Sequence, residues 1–293
     1  MGITRITTNL KRKLNILSVM FTFLATVEHI LIKCYLFREI MRKCGLSDER
    51  SKQVLIHTHF FIFYYISKYS LWKGIFFQLI VIRSTFSWTF IDVFIMLITT
   101  AFALRVKQFA SKVEILMKSK NDIEDWKKLR QEHYQLYQLC CLLNDRLTYI
   151  IFVSYGTNLY FILIQLFGSI KHLTNTLRKG YYYMSFVLLI ARLLGVTLFG
   201  ATVGNESKKI LPLLFSVPSS SYNKEVERLI DQVVKNEIVV SVKNYFKITK
   251  ALLFKFTGVL VTYELVLIQF NTYSLYTDST AEFDKCWLFT NST

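Results

Sequence analysis

Proline is nearly absent from this chain: 293 residues contain two, Pro212 and Pro218, and both fall in one segment between apolar runs. Every long apolar run is therefore free of the residue that breaks or kinks a helix. Broken-helix transporters and many seven-helix G-protein-coupled receptors place proline inside their spans, so uninterrupted helices are expected instead. Cysteine is scarce too, and the five, at positions 34, 44, 140, 141 and 286, show neither metal-ligand spacing nor an even disulfide framework. Cys34 and Cys44 are close enough in sequence to close a short outer loop, with free, partly buried thiols as the other reading. Cys140 and Cys141 are expected in the cytosol, where thiols stay reduced. There is no glycine-rich phosphate loop, no Gly-x-Ser-x-Gly and no His-Glu-x-x-His. His57 and His59 lack a carboxylate or cysteine partner at ligand spacing and read as loop or interfacial residues. No enzyme site, cofactor or metal is expected.

What the chain has in abundance is apolar surface: 53% of residues are hydrophobic and 16% aromatic, despite a formal charge of +16. That combination describes a multi-span membrane protein, here placed in the plasma membrane. The lysines and arginines sit mainly between apolar runs, as residues at membrane faces do, which excludes nucleic-acid binding. Lys11-Arg12-Lys13 leads into a run holding Glu28 and His29 without a small-residue cleavage site, so the first run is expected to stay in the bilayer. Five stretches reach bilayer length, about 14–33, 80–104, 149–169, 181–203 and 252–272. Residues 54–79 are aromatic but broken by His57, His59, Lys68 and Lys73, and read as interfacial.

The predicted fold class is all-α, a polytopic helical bundle with a cytosolic N-terminus and an extracellular C-terminus. Residues 1–104 hold two spans and an outer loop, 105–148 a cytosolic helical segment, 149–203 two further spans, 204–251 cytosolic anchor helices, 252–272 the last span and 273–293 an outer tail. The three cytosolic parts carry four, nine and nine lysines or arginines against nine, three and one outside, a bias in the expected direction. Leu129, His133, Leu136, Cys140, Leu143 and Leu147 repeat at helical steps and form an apolar seam that needs a partner. Tyr245, Ile248, Leu252 and Leu253 suggest a second such helix before the last span.

Glu28, Asp92 and Glu264 are the acids inside spans, and Arg192 is the clear intramembrane base. A charge at mid-span costs on the order of 3 kcal/mol, so each requires a partner or a watery cavity. In the last span, Thr262, Leu265, Gln269 and Phe270 lie near one helical face, which implies a pore or a helix interface. Tyr263 and Glu264 point elsewhere, toward neighbouring helices.

The nonapeptide Thr262-Tyr-Glu-Leu-Val-Leu-Ile-Gln-Phe270 resembles the C-terminal signature of insect gustatory receptors, Thr-Tyr, five mostly apolar residues, then Gln-Phe. Val27-Glu28-His29, the stretch from Thr85 through Trp88 and Asp92 to Met96, Asn158-Leu-Tyr-Phe, Gln165-Leu, Glu225-Val-Glu-Arg228 and Phe246-Lys-Ile-Thr249 resemble the sugar-sensing branch. The likeness runs nearly unbroken from residue 14 to 270 and aligns the first apolar run with the third of the family's seven spans. Val242, where relatives usually carry Gly, and Lys250, in place of Arg, depart from it.

The resemblance implies a tetrameric, ligand-gated cation channel with sugar as ligand, its cytosolic helices forming a shared anchor around a central pore. It also implies a gate at Gln269 and Phe270, with Thr262 and Leu265 lining the same face further in. A sugar pocket needs carboxylates and amides for hydroxyls and aromatic faces for the C–H side of the ring. Glu28, His29, Trp88, Asp92, Asn158 and Gln165 are of those types. Asp92 or Glu28 as an ion-pair partner of Arg192, Trp88 as an interface anchor, and Asn158 and Gln269 as interhelical hydrogen bonders stand beside that reading. So do a metabotropic seven-helix receptor, a solute carrier and a subunit without autonomous function. Related subunits, sugar, permeant cations and the lipid bilayer are the expected partners.

Overall fold

The structure is a computed structural model that describes residues 2–44, 71–118, 123–169, 176–219, 221–243 and 245–274. The described residues form seven helices and one small hairpin: α1 Gly2–Cys44, α2 Leu71–Lys118, α3 Ile123–Ser169, α4 Thr176–Ser207, α5 Ile210–Phe215, α6 Lys224–Lys235, β1 Ser241–Val242, β2 Phe246–Lys247 and α7 Ala251–Ser274. Five helices are long and apolar enough to cross a membrane. His57, His59, the acids of the tail and most of 54–79 lie outside the described residues; 71–79 opens α2.

The helices outrun the bilayer. α3 has 47 residues, roughly 70 Å at 1.5 Å per residue, against a hydrocarbon core of about 30 Å. Both α2 and α3 pass without a break through the boundaries expected at 104/105 and 148/149. Hydroxyls are accommodated in the apolar part of α2 by back-bonding: Thr85, Thr89, Thr99 and Thr100 each donate to the carbonyl four residues earlier. α1 likewise continues to Cys44, which puts Cys34 and Cys44 on one helix, about 15 Å apart. That corrects the short-loop disulfide: the separation exceeds what a bridge spans, and Cys34 is a free thiol.

The described residues divide into two compact units. One comprises those of Met1–Phe90, Tyr160–Ile190 and Val261–Thr293; the other comprises Ile91–Leu159 and Ala191–Leu260. In the second unit α2 and α3 run antiparallel: Lys112 pairs with Glu132 at 2.5 Å, and further along the ring of Phe109 lies 5.6 Å from that of His133. The predicted seam is the buried side of α3, with Leu129, His133, Cys140 and Leu147 all buried.

The seam's partner is the segment after α6. Asn144 donates to the Val239 carbonyl at 2.9 Å and its own oxygen accepts from the Ser241 backbone N–H at 3.1 Å. Cys140 bonds the same carbonyl, and burial pushes its thiol up to about 12, which leaves it unreactive. α6 begins at Asn223, whose side chain caps Glu225 and Val226. Glu225 accepts from Arg130 at 2.9 Å and Arg228 at 2.5 Å, and those bonds hold its carboxyl below the usual carboxylate range.

The second predicted seam is not a helix. Residues 241–247 form an antiparallel hairpin pairing Ser241 with Lys247 and Val242 with Phe246, and α7 starts only at Ala251. Lys243 turns it at φ 41. Ile248 is fully buried while Tyr245 is 75% exposed, so the two never shared a helical face. The hairpin sits close to α4 because Gly200 has no side chain; a Cβ there would stand 2.8 Å from Ile248 Cγ2.

Candidate functional site

Four of the six residues expected in a ligand pocket, Glu28, His29, Trp88 and Gln165, belong to the first unit. Glu28 of α1 accepts the Ser185 hydroxyl of α4 at 2.5 Å, and Gln165 of α3 donates its amide to the same hydroxyl at 2.7 Å. Tyr182 donates to the Gln165 backbone carbonyl. Trp88 of α2 packs on Phe161 with ring centroids 4.1 Å apart, and Tyr35 stacks on Tyr181 at 6.2 Å. Glu28, His29, Trp88 and Gln165 are all half-buried. The Trp88 indole N–H and the Gln165 side-chain oxygen are buried without a hydrogen-bond partner among the described residues. A buried donor and a buried acceptor left open each cost roughly 1–3 kcal/mol.

Asp92 and Asn158 belong to the second unit and are fully buried. Ser154 donates to Asp92 at 2.5 Å, and the Asn158 amide donates to both carboxylate oxygens at 3.2 Å. Arg192 is buried in the same unit, and its positive charge acts on Asp92. Asp92 thus directs its oxygens at α3, and the arrangement cross-links two helices. Nearby, Tyr155 donates to Thr197 at 2.9 Å and packs on Phe246 and Phe256 at 5.5 and 5.4 Å.

On α7 a half-buried stripe of Phe256, Leu260, Tyr263, Glu264 and Leu267 faces the chain's own body. Thr262, Leu265 and Gln269 are exposed, each two residues from a stripe member and so about 200° around the helix from it. Only 6% of the apolar window of α7 is buried by the chain itself. The side chain of Phe270 lies outside the described residues. Ser185 and Ser154 were missed in the sequence; the available signal is that Ser154 precedes Asn158 by the four residues that share a helical face.

A family profile described as "Trehalose receptor" matches residues 2–279. The chain belongs to the trehalose receptor family, the sugar branch of the insect gustatory receptors. The chain is 29% identical over 228 residues to the Drosophila melanogaster gustatory receptor for sugar taste 64f, covering 78% of this chain and 48% of that one. It is 32% identical over 190 residues to the sugar taste receptor 61a of the same organism (65% and 44%), and 28% identical over 187 residues to its gustatory receptor 5a for trehalose (64% and 42%). The receptor thus spans about half the length of the curated relatives it matches.

Among solved structures the insect olfactory receptor OR5 of Machilis hrabei superposes with a TM-score of 0.66 at 12% identity, covering 92% of the receptor and 68% of that chain. The same receptor in complex with eugenol gives 0.60 at 14% identity, over 89% and 70%. The helical membrane fold is therefore shared. The chain is a multi-pass protein of the plasma membrane, in a family of receptors rather than enzymes.

Proposed function

We propose that the chain is a subunit of a sugar-gated cation channel, with a cytosolic N-terminus and an extracellular C-terminus, working as a tetramer of like or related subunits. The functions of its relatives, sugar taste and trehalose detection, support the ligand class. The observation that carries the pore is the orientation of α7, which rests on its own chain by Tyr263 and Glu264 and turns Thr262, Leu265 and Gln269 away. An amide facing hydrocarbon is costly. Water in a pore, framed by the same helix from other subunits, gives Gln269 a solvent and lets its dipole meet a passing cation; Phe270, its neighbour, closes the constriction by excluding water.

Sugar contacts are assigned to Glu28, His29, Trp88 and Gln165, joined by Ser185. Asp92, Asn158 and Ser154 with Arg192 hold helices of the second unit together. Sugar shifts the channel by its differential affinity for the open and closed forms, and a modest bias per subunit is multiplied when several act together. The test is thiol modification of cysteines placed singly at 262, 263, 264, 265 and 269 in the reconstituted channel. Modification at 262, 265 and 269 that blocks current, with 263 and 264 protected, is the expected pattern. Protection of all five positions with and without sugar would remove the pore reading.

A further inference from the structure

The second unit leaves an aromatic surface bare where two apolar runs begin. Tyr149, the first residue of the apolar part of α3, is 70% exposed, Tyr245 75% and Phe254 80%. Phe152 lies 5.9 Å from Tyr245, and Lys243 Nζ stands 5.3 Å over the Tyr149 ring, so the hairpin and α3 present one patch. Lys243, Lys250 and Lys255 are exposed and form no ion pair among the described residues, while Lys247 is engaged by Glu237. No acidic residue occurs between Glu237 and Glu264. On α3 the adjacent charges, Asp145 and Arg146, offset each other.

We infer that this patch docks the headgroups of anionic phospholipids. Lysine carries a compact charge on a flexible stem that reaches from apolar surface to the headgroup level, and aromatic rings favour the same depth. The arrangement combines the two: Lys243 lies over the Tyr149 ring where the apolar part of α3 begins, and Lys250 and Lys255 flank the start of α7, none of them in an ion pair among the described residues. Headgroup phosphates would bridge Lys243, Lys250 and Lys255, while Tyr149, Tyr245 and Phe254 lie among the glycerol and upper acyl groups. Because the hairpin runs directly into α7, bound lipid would brace the base of that helix.

The test uses the purified full chain in nanodiscs of phosphatidylcholine with a minor fraction of phosphatidylserine or phosphatidylinositol bisphosphate. These discs expose both leaflets alike, so the outcome is independent of membrane orientation. Lipid retained through detergent exchange is counted by native mass spectrometry. Wild type should retain anionic lipid over phosphatidylcholine, and Lys250→Gln and Lys255→Gln should each lower that preference about fivefold. The triple variant with Lys243→Gln should abolish it, and Lys112→Gln, outside the patch, should change nothing. Equal retention of both lipids by wild type, or an unchanged preference in both single variants, would overturn the proposal. So would a lower oligomeric mass in place of lipid loss, which would make the patch a contact between copies.

Discussion

Ser185 donates its hydroxyl to Glu28 at 2.5 Å across 157 residues of sequence, and Gln165 reaches the carboxylate only through that hydroxyl. Ser185→Ala removes a hydroxyl of α4 that bonds both Glu28 of α1 and Gln165 of α3. A hydrogen bond to a charged group contributes about 1.5–3 kcal/mol. The half-maximal sugar concentration should rise at least tenfold, with Ser185→Thr largely restoring it. An unchanged dose response in Ser185→Ala would separate this triad from ligand recognition.

Asp92 is expected to matter for folding first. Its replacement by Ala leaves the Ser154 and Asn158 donors without their buried acceptor, a loss on the order of 3 kcal/mol. Surface abundance and thermal stability should fall, and Asp92→Asn should fall less because its shape and one acceptor remain. Wild-type abundance of Asp92→Ala with only the sugar response lost would return Asp92 to the pocket.

Gly200 and Ile248 offer a size-exchange test. Valine at 200 must displace Ile248, whose Cγ2 already lies 2.8 Å from where a Cβ would stand. Overpacking of this kind costs typically about 1–3 kcal/mol. Gly200→Val should lower the melting temperature of the purified chain, and adding Ile248→Ala should recover part of it. Additive losses in the double variant would show that the two sites are not in contact.

His133 should make the anchor region sensitive to acid. It lies in the charged first half of α3, outside the apolar part, and accepts at Nδ1 from Gln232 at 2.9 Å. Burial lowers it from 6.5 to about 4. Between those values the unfolded chain binds the proton and the folded chain does not. Stability should therefore drop as pH falls through that window, by up to ~1.4 kcal/mol per pH unit. Melting curves from about pH 7 to 4.5 should show this slope, flattened in His133→Gln; an identical slope in the variant would assign the acid loss to other groups.

Much of this was legible residue by residue. The seam from Leu129 to Leu147 followed from helical spacing because one face of α3 is buried along its length. The split of α7 into Tyr263 and Glu264 on one side and Thr262, Leu265 and Gln269 on the other followed from the same geometry. Residues 245–253 misled because an exposed tyrosine of a hairpin and the first turn of a helix happen to be spaced like one amphipathic face. A two-residue strand is too short to show alternation.

Composition and spacing by themselves determined the fold class and the uninterrupted helices, because hydrocarbon demands long apolar runs whose backbone groups are satisfied within the helix; the family was legible through the resemblance of the signature from Thr262 to Phe270. Tertiary structure alone decided which polar residues meet. It placed Ser185 between Glu28 and Gln165, turned Asp92 toward Ser154 and Asn158, folded 241–247 into a hairpin and set Ile248, just after it, against Gly200. Those outcomes depend on contacts between residues as many as 157 positions apart, and no local pattern encodes which side chains such distant segments bring within hydrogen-bonding reach of each other.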